Sequence, residues 1–423
     1  MHPKISDSSK TINLLAVLII SIGGVFYCYE FLLRIIPGAL ESELSEAYGH
    51  VTAGTFGQIS AFYYFAYSPM QLPVGMLMDR YGPRRLLTFA CFSCTVGSYL
   101  YTFTDTMWLA ASGRFLVGFG SSFAFVGVLT LTTNWLPRRY FSFVVGLITT
   151  MGMLGLVYGE IKISQWSANL GWEYVLYLMI FLGAGLSILI FLLVRDGPAG
   201  HSPDVQPWPQ FFYQVFKVVT SYEVWLIGVV GACLYTSLSV FGEMWGKTYL
   251  MQAHHLSNME AAKTVSSVFF GWAIGAPLAG FFSDNSGRRV MPLALGAIGA
   301  CVCISLVLYF PNLSYMTLNI LLFFYGLFSA VEIIVFIMAK ENSGAELSGT
   351  VFAVTNLIVT LGGVIFQPLV GKILDMLEEQ RFTLPIHQYS VPDFQIALSV
   401  LPISMLLVTI VAFFLKDVRT AKG

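Results

Sequence analysis

Runs of about twenty apolar residues follow one another along almost the whole of this chain. A helix needs about that many residues to cross the roughly 30 Å hydrocarbon core of a bilayer. The runs lie near 12–38, 52–78, 86–103, 107–136, 141–168, 171–194, 222–251, 261–283, 290–310, 314–340, 346–376 and 392–416. The chain is 56% hydrophobic and 11% charged, more apolar than a water-soluble protein of this length can bury. The sequence therefore predicts an all-α membrane protein with about twelve transmembrane helices.

Two short loops recur at one spacing and indicate a duplicated chain. GMLMDRYGPRR, at residues 75–85, ends the second run, and GFFSDNSGRR, at 280–289, ends the eighth. Matched residues are separated by 205 positions; the pairs are Gly75 and Gly280, Asp79 and Asp284, Gly82 and Gly287, and Arg84 and Arg289. We therefore expect two pseudo-symmetric six-helix bundles, 1–194 and 222–423.

The segment between the predicted bundles, 195–221, contains a stretch rich in Pro and Gly and then FFYQVFKVV. Proline and glycine favour a linker. The apolar stretch predicts a short helix on the inner membrane surface, with Lys217 reaching the headgroups and four apolar residues in the lipid: Phe211, Phe212, Val215 and Phe216.

The distribution of basic residues predicts the orientation of the chain, because cytoplasmic loops are enriched in Lys and Arg. With both termini in the cytoplasm, the inner segments carry Lys4, Lys10, Arg80, Arg84, Arg85, Arg138, Arg139, Arg195, Lys217, Arg288, Arg289, Lys340, Lys416, Arg419 and Lys422. Two acidic groups then fall outside: Glu41, Glu43 and Glu46, and Glu378 and Glu379. We expect a multi-pass protein of a cell (inner) membrane with both termini cytoplasmic.

The first loop, placed after the second of twelve predicted helices, resembles the signature loop of the major facilitator superfamily. The second loop resembles the weaker copy in that family, with Asn285 in place of an arginine. Arg114-x-x-x-Gly118-x-Gly120 is similar to a further motif of the family. The run Tyr-x-Tyr-Glu-Phe-x-x-Arg-x-x-Pro at 27–37 resembles the first helix of phagosomal transporters, which import amino acids or nucleosides. The fifth run lacks the proline that drug–proton antiporters of the family usually carry there.

The resemblance implies that the two loops gate the transport cycle and do not bind substrate. The gating residues would be Gly75, Asp79, Arg80, Gly82, Arg84, Arg85, Asp284, Gly287, Arg288 and Arg289. Physically, Gly75 and Gly280 would let helices approach closely, and Gly82 and Gly287 would permit tight turns. The aspartates would accept hydrogen bonds at a helix N-terminus, and the arginines would pair across the bundle interface. A purely topological anchor is the alternative.

Charged residues inside the apolar runs are the candidate functional residues, because an ionised side chain at a helix centre costs about 2.5–3.5 kcal/mol on insertion scales. Glu30 and Arg34 are four residues apart, as are Glu243 and Lys247, which follow them by 213 positions. On a helix that spacing places both members on one face. We therefore predict one acid–base pair in each half, with a purely structural pair as the alternative.

The predicted substrate-binding residues are Glu30, Arg34, Tyr27, Arg114, Glu243, Lys247 and Trp245. The predicted proton-coupling residues are Glu30, Glu243 and Glu332. Further aromatic residues are expected to line the path, namely Tyr63, Tyr64, Tyr67, Tyr158, Tyr235 and Trp272. For Arg114 the alternative is stabilisation of its bundle, and for Glu160 and Lys162 a position at the outer interface.

These residues favour a secondary transporter that imports a small polar nutrient, an amino acid or a nucleoside, together with protons by alternating access. The expected partners are that small-molecule substrate, protons and the lipid bilayer, and we expect a monomer. An exporter of an organic acid, siderophore or drug is the first alternative, and a transporter-shaped receptor or structural membrane protein is the second. No nucleophile–base pair, phosphate loop or metal-ligand spacing stands out, so we expect no enzyme, cofactor, metal site or nucleic-acid partner.

Overall fold

The structure is a computed structural model, and it describes residues 14–103, 106–136, 141–198, 207–343, 348–379, 389–412 and 414–415. The side chains of Asp79 and Asp284 lie outside this description. Seven residues of the predicted inner basic set also fall outside it: Lys4, Lys10, Arg138, Arg139, Lys416, Arg419 and Lys422.

Every regular element in the described part of the chain is helical, as expected where backbone groups must be satisfied without water. Before the linker, the helices are α1 (Leu14–Ala39), α2 (Glu41–Ala47), α3 (Ala53–Met70), α4 (Val74–Tyr81), α5 (Pro83–Thr102), α6 (Met107–Trp135), α7 (Phe141–Leu170) and α8 (Trp172–Leu193).

The linker helix and the second half continue this pattern. The elements are α9 (Trp208–Val219), α10 (Tyr222–Thr236), a π-helical segment (Ser237–Trp245), α11 (Gly246–Ala253), α12 (Asn258–Ser286), α13 (Val290–Tyr309), α14 (Tyr315–Ser329), a 3₁₀ turn (Ala330–Glu332), α15 (Ile333–Ser343), α16 (Ser348–Glu379), α17 (Val391–Ala397) and α18 (Val400–Ala412). We call Ser237–Trp245 the π segment.

Nine helical stretches of the described chain are long and apolar enough to cross a membrane. The predicted runs near 52–78, 86–103 and 141–168 are not among them, although helices occupy all three positions. The first of these runs is divided by a turn at 71–73 between α3 and α4. The helical, membrane-spanning character is confirmed, and the count of twelve spans stays a prediction.

Residues 222–253 form one long helical stretch whose middle has π winding. A π turn bonds residue i to residue i+5, whereas an α-helix bonds residue i to residue i+4, so the change of winding turns the following side chains toward different neighbours. All nine residues of the π segment are buried. The sequence gives no sign of this change of winding, which alters the partners of Glu243 and Lys247.

Three sets of contacts join the two halves. α3 packs on α16, α7 packs on α12, and α1 packs on the π segment and α11. The α1 contact is very close, because a Cβ atom built on Gly38 would lie 2.2 Å from the carbonyl oxygen of Glu243. Glycine at this position therefore lets the two helical backbones touch beside the charged residues.

The predicted helix in the linker is present as α9. Phe211 is buried against the protein, whereas Phe212 and Phe216 are 60% and 68% exposed. The prediction that all these phenylalanines face lipid is therefore wrong for Phe211, which is 9% exposed on a helix that packs on α10 and α16.

Candidate functional site

Arg34 lies at the centre of a buried cluster of charged and phenolic side chains. α1 carries Arg34 and Glu30, and because the helix is regular there, the two side chains meet one turn apart. Nη2 of Arg34 lies 3.1 Å and 3.2 Å from the two carboxylate oxygens of Glu30. Glu30 is 1% exposed and Arg34 is 6% exposed. The predicted ion pair in the first half is therefore present.

Arg34 also contacts the second half. Its Nη1 lies 3.9 Å from a carboxylate oxygen of Glu243 and donates to the hydroxyl of Tyr235 at 3.1 Å. Glu243 belongs to the π segment and is 3% exposed. A single guanidinium therefore joins a carboxylate of each half.

Three tyrosines complete this cluster. Arg34 Nε donates to the Tyr63 hydroxyl at 3.0 Å, and that hydroxyl donates to Glu30 at 3.1 Å. The Tyr64 hydroxyl donates to Glu243 and lies 3.4 Å from the Tyr235 hydroxyl. We call Glu30, Arg34, Tyr63, Tyr64, Tyr235 and Glu243 the ionic centre. Charge-assisted hydrogen bonds of this kind offset the cost of removing ions from water.

Aromatic faces surround the guanidinium of Arg34. Its Cζ lies 4.6 Å from the ring centre of Phe31 and 5.1 Å from that of Tyr67, and the rings of Tyr63 and Tyr67 stack at 5.4 Å. Cation–π attraction is strongest where water is excluded. Four of the predicted lining aromatics therefore lie at the ionic centre: Tyr63, Tyr64, Tyr67 and Tyr235.

The other predicted aromatic residues have different surroundings. Tyr27 packs against Phe31 and Phe125, with ring centres 4.8 Å and 5.3 Å apart. Tyr158 is 62% exposed on α7 and lies outside the buried cluster around Arg34, so its role as a lining residue stays a prediction. Trp272 is buried, and its indole N–H has no partner in the described part of the chain.

The predicted pairing of Glu243 with Lys247 is wrong. The Lys247 ammonium donates to the carbonyl of Ala39, at the end of α1, and interacts electrostatically with Glu160, Glu43 and Glu41. Glu243 turns instead toward Arg34 and Tyr64. The π winding between the two residues is the physical reason, because the four-residue rule holds for a regular α-helix only.

Glu160 and Lys162 also behave differently from each other. Glu160 is 1% exposed and interacts electrostatically with Lys247, so its predicted alternative as an interfacial residue is wrong. Lys162 is exposed and donates to Gln165 at 3.0 Å.

Arg114, on α6, is a second buried guanidinium near the ionic centre. It is 4% exposed, donates to the carbonyl of Leu33 at 2.9 Å and lies over the rings of Tyr63 and Tyr101. Its Nε has no hydrogen-bond partner among the described residues. A planar cation with an unused donor can receive a carboxylate.

Glu332 stands apart from the ionic centre. It ends the 3₁₀ turn between α14 and α15, is 4% exposed, and forms no hydrogen bond or ion pair with a residue that the structure describes.

The sequence matches the family model described as Major Facilitator Superfamily over residues 15–367. The chain belongs to this superfamily of membrane transporters. It is 25% identical over 377 residues to the lysosomal dipeptide transporter MFSD1 of Danio rerio, covering 84% of this chain and 78% of that protein. It is 21% identical over 402 residues to GarP of Escherichia coli strain K12, a probable galactarate/D-glucarate transporter, covering 86% of this chain and 88% of that protein.

The fold agrees with this membership. The chain superposes on the crystal structure of the nucleoside transporter NupG with a TM-score of 0.76 at 13% identity, covering 95% of this chain and 99% of that one. At that identity the superposition establishes the fold alone. The resemblance to the major facilitator superfamily that the two signature loops carry is therefore confirmed.

The first signature loop of this transporter is held by residues outside the motif. Gly82 has a φ of +80°, as the predicted tight turn requires. The backbone N–H of Arg84 donates to Asp196 at 2.8 Å, and its side-chain Nε donates to the carbonyl of Phe191 at 3.0 Å. The acid that caps α5 in the described structure is therefore Asp196. Arg85 is exposed.

The second loop has its own partner. Gly287 again has a positive φ, +60°. Arg289 forms a 2.8 Å ion pair with Glu341 and a 2.8 Å hydrogen bond to Ser283, whereas Arg288 is exposed. Glu341 belongs to the same half as Arg289, so this ion pair does not cross the bundle interface, and pairing of the arginines across that interface stays a prediction.

The predicted close packing at Gly75 and Gly280 is also wrong, since no described heavy atom lies within 4 Å of a Cβ built on either one. Gly75 lies in the first turn of α4, beside the turn that separates it from α3, and Gly280 lies within two turns of the end of α12. Arg80, also exposed, lies 5.5 Å from the ring of Trp208 on α9. The loop thus contacts the linker helix.

Proposed function

We propose that this transporter moves a small, charged nutrient together with protons, and that the ionic centre is where substrate and proton compete for Arg34. The observation that carries the proposal is the position of Arg34 between Glu30 of one half and Glu243 of the other. In alternating access the halves rock against each other around a site between them. An arginine that holds carboxylates of both halves is suited to link that motion to binding.

Proton coupling would work through the same carboxylates. Protonation of Glu30 or Glu243 removes a negative charge from Arg34 and frees the guanidinium for a substrate carboxylate. Each proton entering across 100 mV contributes about 2.3 kcal/mol, which is enough to accumulate substrate tens-fold. Glu332, with its buried carboxyl group at a helix break, is a further proton carrier in this scheme.

The charge balance of the site favours a zwitterion. Two carboxylates, Glu30 and Glu243, stand beside two guanidiniums, Arg34 and Arg114. A zwitterion offers a carboxylate for an arginine and an ammonium for a glutamate. Of the two predicted nutrient classes, an amino acid or a short peptide therefore fits better than an uncharged nucleoside. The dipeptide transporter among the relatives supports this choice.

The architecture of the proposal is the predicted one: twelve spans in two six-helix bundles, acting as a monomer, with both termini in the cytoplasm of a cell (inner) membrane. Two features support an internal duplication. Gly118 of α6 contacts the carbonyl of Tyr63 in α3, and Gly326 of α14 contacts that of Val268 in α12. In the predicted duplication, α3 corresponds to α12 and α7 corresponds to α16. The two halves contact each other through α3 with α16 and through α7 with α12, so each contact joins the same two kinds of helix. The signature-loop residues would gate the inner side.

A second candidate is transport, in either direction, of an organic acid. Nε of Arg114 has no hydrogen-bond partner in the part of the chain that the structure describes, which favours this candidate, because a diacid could bind Arg114 and Arg34 at once. GarP, a probable sugar-diacid transporter, supports this alternative.

Purified protein in liposomes tests the proposal. Uptake of labelled amino acids, dipeptides, nucleosides and dicarboxylates is measured with and without an inward proton gradient, after folding is verified by thermal unfolding. We expect gradient-driven uptake of a zwitterion. Uptake only of diacids favours the second candidate, and ligand-induced thermal stabilisation without any uptake indicates a receptor. Absence of both for every class contradicts the proposal.

A further inference from the structure

Gln367, on α16, contacts the π segment at two points. Its side-chain Nε2 donates to the carbonyl of Ser239 at 2.6 Å, and its main-chain carbonyl accepts the indole N–H of Trp245 at 3.1 Å. Gln367 is 4% exposed. The two contacts lie on either side of Glu243, so one residue of α16 brackets the stretch that presents this carboxylate.

The π segment depends on its surroundings for its winding. π-helices are rare and occur mostly as single-turn bulges within α-helices, frequently at functional sites. An unfavourable backbone conformation persists only where neighbouring groups fix it. The bond from Gln367 to Ser239 and the bond from Trp245 to Gln367 are two such constraints in an apolar interior.

α16 also contacts the Tyr64 side of the ionic centre. A Cβ built on Gly363 would lie 2.7 Å from the ring of Tyr64, and one built on Gly57 would lie 3.0 Å from the carbonyl of Gln367. Two turns beyond Gln367, Asp375 accepts the backbone N–H of Gly54 at 2.9 Å. α16 is therefore fixed on α3, which carries Tyr64, and it holds the π segment, which carries Glu243.

The amide of Gln367 has a defined orientation. Its nitrogen must face Ser239, because two carbonyl oxygens would repel each other there. Its Oε1 is buried without a hydrogen-bond partner in the described structure. Keeping an amide with an unpaired oxygen is costly in such a site. The contribution of this side chain is therefore the hydrogen bond that its nitrogen donates to Ser239.

We propose that Gln367 is a positioning residue for transport, which holds the π segment so that Glu243 meets Arg34 and Tyr64. The inference rests on the proposed function of the ionic centre. It adds a residue that bonds the backbone of Ser239 and the indole of Trp245, which are not members of that centre. It predicts that loss of the Gln367 amide misplaces Glu243 without removing any charge.

Hydrogen exchange followed by mass spectrometry tests the positioning without reference to transport. Gln367→Met keeps the volume and removes the donor. Thr360→Val is the matched control, because Thr360 lies on the same helix, is buried, and among the described residues bonds to its own helix, at Asn356 and Leu357. We expect amides 237–247 to exchange about tenfold faster in Gln367→Met, and at the wild-type rate in Thr360→Val. Unchanged exchange in Gln367→Met overturns the proposal.

Transport kinetics test the consequence. In liposomes, Gln367→Met should raise KM and lower proton-driven accumulation by about tenfold, a loss expected when a charged contact is misplaced. Trp245→Phe, which removes the other bond, should do the same to a smaller extent. If exchange quickens but KM and the dependence on the proton gradient stay at their wild-type values, Gln367 is merely structural and the proposal is wrong. A wild-type protein that transports nothing refutes the proposed function, while hydrogen exchange still decides whether Gln367 holds the segment.

Discussion

Residues 30–34 and 243–247 have the same sequence pattern, an acid followed four residues later by a base, but different partners. In α1 the pattern gives an ion pair of 3.1 Å between Arg34 and Glu30. In the second half, Glu243 contacts Arg34 and Lys247 contacts Ala39, both on α1. A spacing rule for side chains holds only where the backbone keeps its regular winding.

This difference has a functional consequence. Two symmetric pairs would each be satisfied within one helix, and neither would register a movement between the halves. The asymmetric arrangement leaves Glu243 dependent on Arg34, so that separating the halves changes the partners of both. The four predictions below test this dependence, from the largest expected effect on transport to the smallest.

Arg34→Gln should abolish transport. Removing one member of a buried ion pair leaves its partners as uncompensated charges, a loss of about 3–5 kcal/mol in the free energy of unfolding. Here two carboxylates lose their cation. Uptake and thermal unfolding measure the effect, and Lys162→Gln, at an exposed site, is the control. Uptake within twofold of wild type would exclude Arg34 from the mechanism.

Gly38→Ala should reduce transport by about a hundredfold, equivalent to about 3 kcal/mol at the contact of α1 with the π segment. The added methyl group would lie 2.2 Å from the Glu243 carbonyl oxygen, so the two helices must separate. Gly24→Ala, on the same helix, is the control, since its methyl group would meet its neighbours at 4.0 Å. Equal uptake by the two variants argues against close contact there.

Tyr64→Phe should lower proton-driven uptake by about tenfold, because a hydrogen bond to a charged group contributes about 1.5–3 kcal/mol. Glu243 loses its phenolic donor but keeps Arg34. Initial rates at several substrate concentrations measure the change. Tyr29→Phe is the control, since the Tyr29 hydroxyl donates to the carbonyl of Met179 on α8 and not to a residue of the ionic centre. A larger loss in the control contradicts the assignment.

Lys247→Met should leave the proton-driven accumulation ratio within about threefold of wild type, since the partners of Lys247, namely the Ala39 carbonyl and carboxylates on α2 and α7, lie outside the ionic centre. The number of folded molecules should fall, because Glu160 loses its nearby cation. Accumulation at steady state, normalised to folded protein, is the measurement. Complete loss of accumulation would show that Lys247 takes part in proton coupling, and it would contradict this prediction.

Much of the fold could be predicted from the sequence. The apolar runs coincide with helices, and the prediction from Gly82 and Gly287 that the loops make tight turns holds. Hydrophobic length and positive φ at glycine are local properties, so a local pattern reveals them. The Glu30–Arg34 pair was predictable for the same reason.

Other features depend on tertiary contacts that no local pattern encodes. Arg289 contacts Glu341, and Asp196 caps α5, and each of these contacts joins residues far apart in the chain. The π winding of Ser237–Trp245 is likewise not marked by a local pattern. Gln367 was missed as well, although a glutamine followed by a proline within an apolar run marks a buried polar group. A polar residue in such a run warrants attention even when it carries no charge.

A double-mutant cycle tests the central claim most directly. Thermal unfolding and uptake are measured for Arg34→Gln, Glu243→Gln and the double variant, and in parallel for Glu243→Gln, Lys247→Met and their double variant. We predict a coupling energy of about 1–3 kcal/mol between Arg34 and Glu243 and less than about 0.5 kcal/mol between Glu243 and Lys247. The reverse order would show that the halves keep separate ion pairs, and it would contradict a shared ionic centre.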